Sequence, residues 1–305
     1  METGNTMHTT TASGFGITSF TLKINAVISM FIDHLGATVV LGCLYSARYV
    51  TVAMRESDRL LDQVLVLVNQ NWSLSVSIYE HMRLIGRIAF PIYCFLIAKG
   101  FFYTRDVKKY SLRLGIFALI SEIPFDLAFN EGWLDLSSNN VYFTLLIGLL
   151  VIWGISWIRE KFGLVADQMP VAIAEEQEPG KASETKKMGL EILEKVGGLC
   201  AILIIIGVGA FLAKYILHTD YGASGVLTIV TMYLLYKNPW FGYIVGVLVL
   251  TYMTHNSTEL IALLGAVPIW YYSGRKGKNI RYFFYIFYPA HLLVLWFITY
   301  LLGFK

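Results

Sequence analysis

"ISMFIDHLGATVVLG", residues 28–42, is an apolar run broken at its centre by Asp33 and His34. An ionisable side chain in the middle of a membrane helix costs about 2.5–3.5 kcal/mol, so such a pair demands a partner, water or a task. The run decides the fold because it has many companions. Of the 305 residues, 56% are hydrophobic and 15% charged, and the mean hydropathy is +0.59, beyond the balance of a soluble domain. A hydrocarbon layer of roughly 30 Å takes about 20 apolar residues per helix. By that measure the sequence predicts an all-α, polytopic membrane bundle of about nine spans. They are 20–44, 84–103, 110–129 and 141–158 in a first half, 20–158, and 196–217, 223–237, 239–254, 258–273 and 281–302 in a second, 196–305.

The connections complete the map. Residues 1–19 read as a disordered tail without the charge pattern of a cleaved signal. The segment 45–83 is too charged to span as a whole and is expected outside, with "LLDQVLVLV" forming an amphipathic helix. Residues 159–195, of mixed charge with Pro and Gly, read as a cytoplasmic linker. Arg105, Lys108, Lys109 and Arg113 join spans two and three, and Arg275, Lys276, Lys278 and Arg281 join spans eight and nine. The connection 130–140, "NEGWLDLSSNN", has no basic residue. Basic connections stay in the cytoplasm, so the N-terminus is expected inside. The distribution matters more than the net charge of +3.

Cys43, Cys94 and Cys200 lie in apolar runs with no CxxC or Cys/His spacing, so neither a disulfide framework nor a metal site is expected. No HExxH, GxSxG, Walker loop or dinucleotide fingerprint is present, and no nucleic-acid partner is expected.

Other intramembrane polar residues are concentrated. "FALISEIPFDLAF" (117–129) puts Glu122 and Asp126 on one helical face around Pro124. "HTDYGASG" (218–225) brings His218 and Asp220 to the mouth of span six. "FYIFYPAHLLVLW" (284–296) places Tyr288 and His291 three apart beside Pro289. If the spans bundle, Asp33, His34, Glu122, Asp126, Asp220 and His291 converge on one wet cavity. The plainer alternative is that each carboxylate pairs with Arg83, Arg87 or Lys99 of span two. Those cations either balance charge or hold an anionic substrate, and both readings stay open.

Together, "LKINAVISMFIDHLG" (22–36), the stretch 83–129, "NNVYFTLLIGLL" (139–150), "DYGASGVLTIV" (220–230) and "FYIFYPAHLLVL" (284–295) resemble the TraX family of polytopic membrane proteins. The resemblance implies an acetyltransferase that takes acetyl from cytoplasmic acetyl-CoA, in a bacterial cytoplasmic membrane. Its motifs fall on Asp33 and His34, on Arg83 and Arg87, on Ser121 to Asp126, on Asp220 to Gly222 and on Tyr288 to His291. The sequence departs from the family pattern at Lys99 and Tyr103.

On this reading His34 is the general base, suited by an ordinary pKa of about 6.5. Asp33, about 100° around the helix, is expected to pair with an arginine of span two. Glu122, Asp126 or His291 orients His34. Arg83, Arg87, Lys99, Arg105, Lys108, Arg275, Lys276 and Arg281 are the expected cofactor ligands, with Asp220, Tyr221 and Tyr288 lining the pocket of an amine or hydroxyl acceptor. A proton-coupled transporter is the alternative, although the inverted repeats expected of one are not found. A non-enzymatic envelope assembly partner is a third reading. Whether the protein dimerises is left open.

Overall fold

A chain in lipid must satisfy its backbone polar groups internally, so long apolar runs become helices. The computed structural model describes residues 16–130, 132–164, 184–278 and 280–304, with the backbone alone for 184–191 and Arg281. Most of the expected tail, and residues 165–183 of the expected linker, lie outside the described residues.

Ten helices carry the architecture among the described residues. They are α1 (Ser19–Ala47), α2 (Leu60–Gln70), α3 (Trp72–Tyr103), α4 (Val107–Phe129) and α5 (Val141–Lys161). Then follow α6 (Glu184–Phe211, continued by a π-helical turn, Leu212–Ile216), α7 (Gly222–Leu234), α8 (Pro239–Thr254), α9 (Ser257–Trp270) and α10 (Arg281–Leu301). Five of them, α1, α3, α5, α6 and α10, are long and apolar enough to cross a membrane. The protein is a multi-pass, all-α membrane bundle. The other apolar helices are short. At 13 residues α7 reaches only about 20 Å, and it lies at the centre with Val226, Ile229 and Tyr233 fully buried. The long helices α3, α5 and α6 pack against α7, and such protein-buried positions are where a membrane tolerates short or irregular helices. At Gly148 of α5 a Cβ would run into Ile229, so glycine permits the close approach of α5 to α7.

The helix that holds the second span begins at Trp72 rather than at 84, so about a third of the expected outer segment is helix continuous with that span. Its charges do not stop the helix because Arg83 turns inward onto Asp33 of α1. The "LLDQVLVLV" stretch is α2, held to the end of α1 by Asn69 Nδ2 donating to the Ala47 carbonyl at 2.9 Å.

The basic connections share one end of the bundle. There the first amides of α1 are satisfied across the fold: Ser19 and Phe20 donate to the carbonyls of Arg275 and Lys276, at 2.9 and 3.1 Å. At the opposite end the connection from α4 to α5 exposes Trp133, Leu134 and Leu136, but its last two residues leave the surface. Asn139 and Asn140 are 6% and 0% exposed, so α5 starts inside the bundle, level with Ala118 and Glu122 of α4. Asn140 accepts from the Tyr142 amide at 3.0 Å and donates through Nδ2 to the Ala118 carbonyl at 2.8 Å and to Glu122. Asn140→Leu therefore strands a buried carboxylate. It should lower stability by about 1–3 kcal/mol in thermal unfolding in detergent, and an unchanged midpoint would show that Glu122 needs no partner.

Candidate functional site

Three irregular helical segments converge at the end opposite the basic connections. A π-helical turn, Gly36–Val40, follows His34, the π turn of α6 precedes His218, and a 3₁₀ stretch, Ser257–Gly265, opens α9. His218, Tyr221 and His255 there adopt positive φ, at 41°, 65° and 51°. Such conformations are costly for side-chain-bearing residues and persist where the surroundings hold them. Tyr221 is held by Phe90, face to face at a centroid distance of 3.7 Å.

Asp33 and His34 are neighbours in sequence but serve different walls. Asp33 faces α3 and pairs with Arg83 at 2.8 Å, both being partly exposed. Gly86 makes room for that carboxylate, since a Cβ there would collide with it. One turn on, Arg87 pairs with Glu259 of α9 at 3.0 Å. Glu259 is 2% exposed and its Oε2 has no hydrogen-bond partner. Asp220 has an exposed side chain within electrostatic reach of Arg87, Asp33 and Arg83, and the Tyr221 hydroxyl also approaches Arg87. Three carboxylates thus face two guanidinium groups. With every group ionised the cluster carries one excess negative charge, and it attracts a cation.

His34 faces α10. Its Nδ1 lies 2.7 Å from His291 Nε2, with the rings 5° from parallel and their centroids 5.0 Å apart. That spacing is an in-line bond between nearly coplanar rings, since a face stack would not bring the nitrogens so close. The partners assign the tautomers. His291 Nδ1 is 2.7 Å from the Phe287 carbonyl and must donate to it. His291 Nε2 is then an acceptor, His34 Nδ1 donates, and His34 Nε2 keeps a free lone pair. Phe129 and Tyr288 flank the His34 ring edge-on, at 5.2 and 6.0 Å.

Of the expected orienting groups, His291 reaches His34. Glu122 instead accepts from Asn140, and Asp126 accepts from Asn130 Nδ2 at 2.9 Å and from the Asp135 amide at 2.8 Å. Both carboxylates shape the infolded connection.

The basic end opens into a cavity of about 650 Å³. Lys23, Lys99, Arg105, Arg113, Lys276 and Lys278 line it, with Tyr93, Ile97, Leu114, Leu145 and Tyr142 on the deeper wall. No carboxylate lines it among the described residues, so its field favours an anion. Ten residues of α3 separate Tyr103 at the rim from Tyr93, a depth of roughly 15 Å.

Of the expected cofactor ligands, Lys99, Arg105 and Lys276 line this cavity. Lys108 and Arg275 are not on this wall, and the side chain of Arg281 lies outside the described residues. Arg83 and Arg87 are at the other end, paired with carboxylates. Sequence reasoning missed Lys23, Arg113 and Lys278 as lining residues, and it missed Glu259 altogether. The signal for Glu259 was a carboxylate opening the apolar run "ELIALLGAVPIW" (259–270). Among the described residues no group of three His, Cys, Asp or Glu is placed to hold a metal ion.

The family described as "TraX protein" matches residues 19–174 and 183–299. The chain is 26% identical over 289 residues to the probable fimbrial assembly protein FimC, serogroup H1, of Dichelobacter nodosus, covering 91% of this chain and 93% of that protein. No solved structure matches.

The Asp33 and Arg83 pair makes a direct prediction. In a double-mutant cycle read by thermal unfolding, Asp33→Ala and Arg83→Ala should couple by about 0.5–3 kcal/mol. Additive effects would mean that the two side chains do not depend on each other.

Proposed function

The chain belongs to the TraX family, and from that premise and the geometry of its two ends we propose that it is a membrane-embedded acetyltransferase. It takes acetyl from acetyl-CoA on the cytoplasmic side and delivers it to an amine reaching the opposite end. The observation that carries the reading is a cationic cavity, with no carboxylate on it among the described residues, in the same bundle as a histidine pair whose bonds leave His34 Nε2 as the acceptor. The basic end is then cytoplasmic and the N-terminus inside, in a bacterial cytoplasmic membrane. Lys99, Arg105, Arg113 and Lys276 bind the phosphates of the donor, and the tyrosine-lined depth takes its apolar arm.

At the other end the excess carboxylate favours a cationic acceptor, and Asp220 is the group exposed to it. The bound ammonium first releases a proton to water at that end, and the resulting amine attacks the thioester carbonyl, so a C–N bond forms as the C–S bond breaks. His34 Nε2 takes the amine proton and returns it to the departing thiolate. His291 keeps accepting from His34 Nδ1 while His34 is protonated, which holds the ring and stabilises the imidazolium. The name of the Dichelobacter relative supports a fimbrial subunit as acceptor.

The test is acetyl-CoA binding and CoA release by the purified protein with a peptide amine. His34→Ala should bind acetyl-CoA as the wild type does, yet release CoA about 10²–10⁴-fold more slowly. His291→Gln, which keeps an acceptor for His34, should retain more activity than His291→Ala. A folded wild type that neither binds acetyl-CoA nor releases CoA would overturn the reading.

A further inference from the structure

We propose that Tyr142 is the gate between the basic cavity and the histidine pair and sets the length of the acyl chain that passes. The acyl specificity rests on the acetyltransferase reading, whereas the gate itself does not. Tyr142 is a wall of the basic cavity and is 8% exposed. Its position follows from a defect in the neighbouring helix. Pro289 of α10 has no N–H, so the Tyr285 carbonyl, four residues earlier, loses its helical donor. The Tyr142 hydroxyl stands 3.4 Å from that carbonyl and 3.3 Å from the carbonyl of Phe284. Both contacts are longer than an ordinary O–H···O bond, so the ring is held in place without being locked.

On its far side Tyr142 meets Tyr288 edge-on, with centroids 5.0 Å apart. Tyr288 is 3% exposed and lies 6.0 Å from His34 and 5.8 Å from His291. The column from the cavity wall to the reacting imidazole is therefore aromatic and closed. A donor entering from the basic end meets Tyr142 before it can meet His34. A small displacement of the ring admits a methyl group, but a longer chain would have to share the space with Tyr288, which is already packed. The same closure keeps water and protons from crossing between the basic cavity and the carboxylate cluster.

The experiment compares acetyl-CoA with butyryl-CoA for wild type, Tyr142→Ala and Tyr142→Phe, and in parallel follows proton leak in proteoliposomes under an imposed pH gradient. Since one methylene in a packed pocket is worth about 10–200-fold, wild type should prefer acetyl by at least that factor. Tyr142→Ala should raise the ratio of butyryl to acetyl use about tenfold or more, and it should leak protons. Tyr142→Phe keeps the ring and should keep both the acetyl preference and the seal. A wild type indifferent to chain length, or a folded Tyr142→Ala with an unchanged ratio, overturns the specificity. A proton-tight Tyr142→Ala overturns the gate. If wild type turns over no thioester, the acetyltransferase reading falls and the leak measurement alone decides the gate. Tyr142→Leu, read in the same way, replaces the alanine variant should that variant not fold.

Discussion

The ion pair between Asp33 and Arg83 organises the acidic end of the bundle. A carboxylate and a guanidinium carried into a membrane protein separately would each be costly, so the pair ties α1 to α3 at a defined height. Once Asp33 faces α3, the 100° step of the helix turns His34 toward α10. The next cation along α3, Arg87, then reaches across to Glu259. Satisfying one intramembrane charge thereby sets the directions of the histidine and the second arginine.

The histidine pair shows how neutral groups can fix a tautomer. A backbone carbonyl at Phe287 dictates which nitrogen of His291 carries its proton, and that choice passes through one bond to His34. Among the described residues no carboxylate touches the pair. Glu122 and Asp126, which by sequence looked equally suited, hold the infolded connection 130–140 with Asn140, Asn130 and Asp135. They set the depth at which α5 begins, and so the height of Tyr142.

The two ends of the bundle have opposite electrostatic characters. Cations line the cavity at the basic end with no acid beside them among the described residues, whereas three carboxylates against two arginines mark the other. Aromatic rings lie between, where Tyr142 approaches the Tyr285 carbonyl of α10. That division gives the two ends fields of opposite sign.

Composition and periodicity alone determined that this is an all-helical membrane protein, because burying backbone in lipid leaves few other solutions. The sequence also singled out Asp33, His34, His291 and the arginines of the second span, since ionisable groups stand out in apolar runs. Tertiary structure decided which of them meet. Spacing along a helix specifies a face and a height but not the neighbour opposite, so His291 could be chosen over Glu122 and Asp126 only after α10 had packed beside α1. Glu259 went unseen because a carboxylate at the start of a short apolar run looks like a solvated turn until α9 is folded against Arg87. The cavity at the basic end was hidden for the same reason: its walls come from α1, α3, α4, α5 and α10, and no local pattern records how far apart five helices stand.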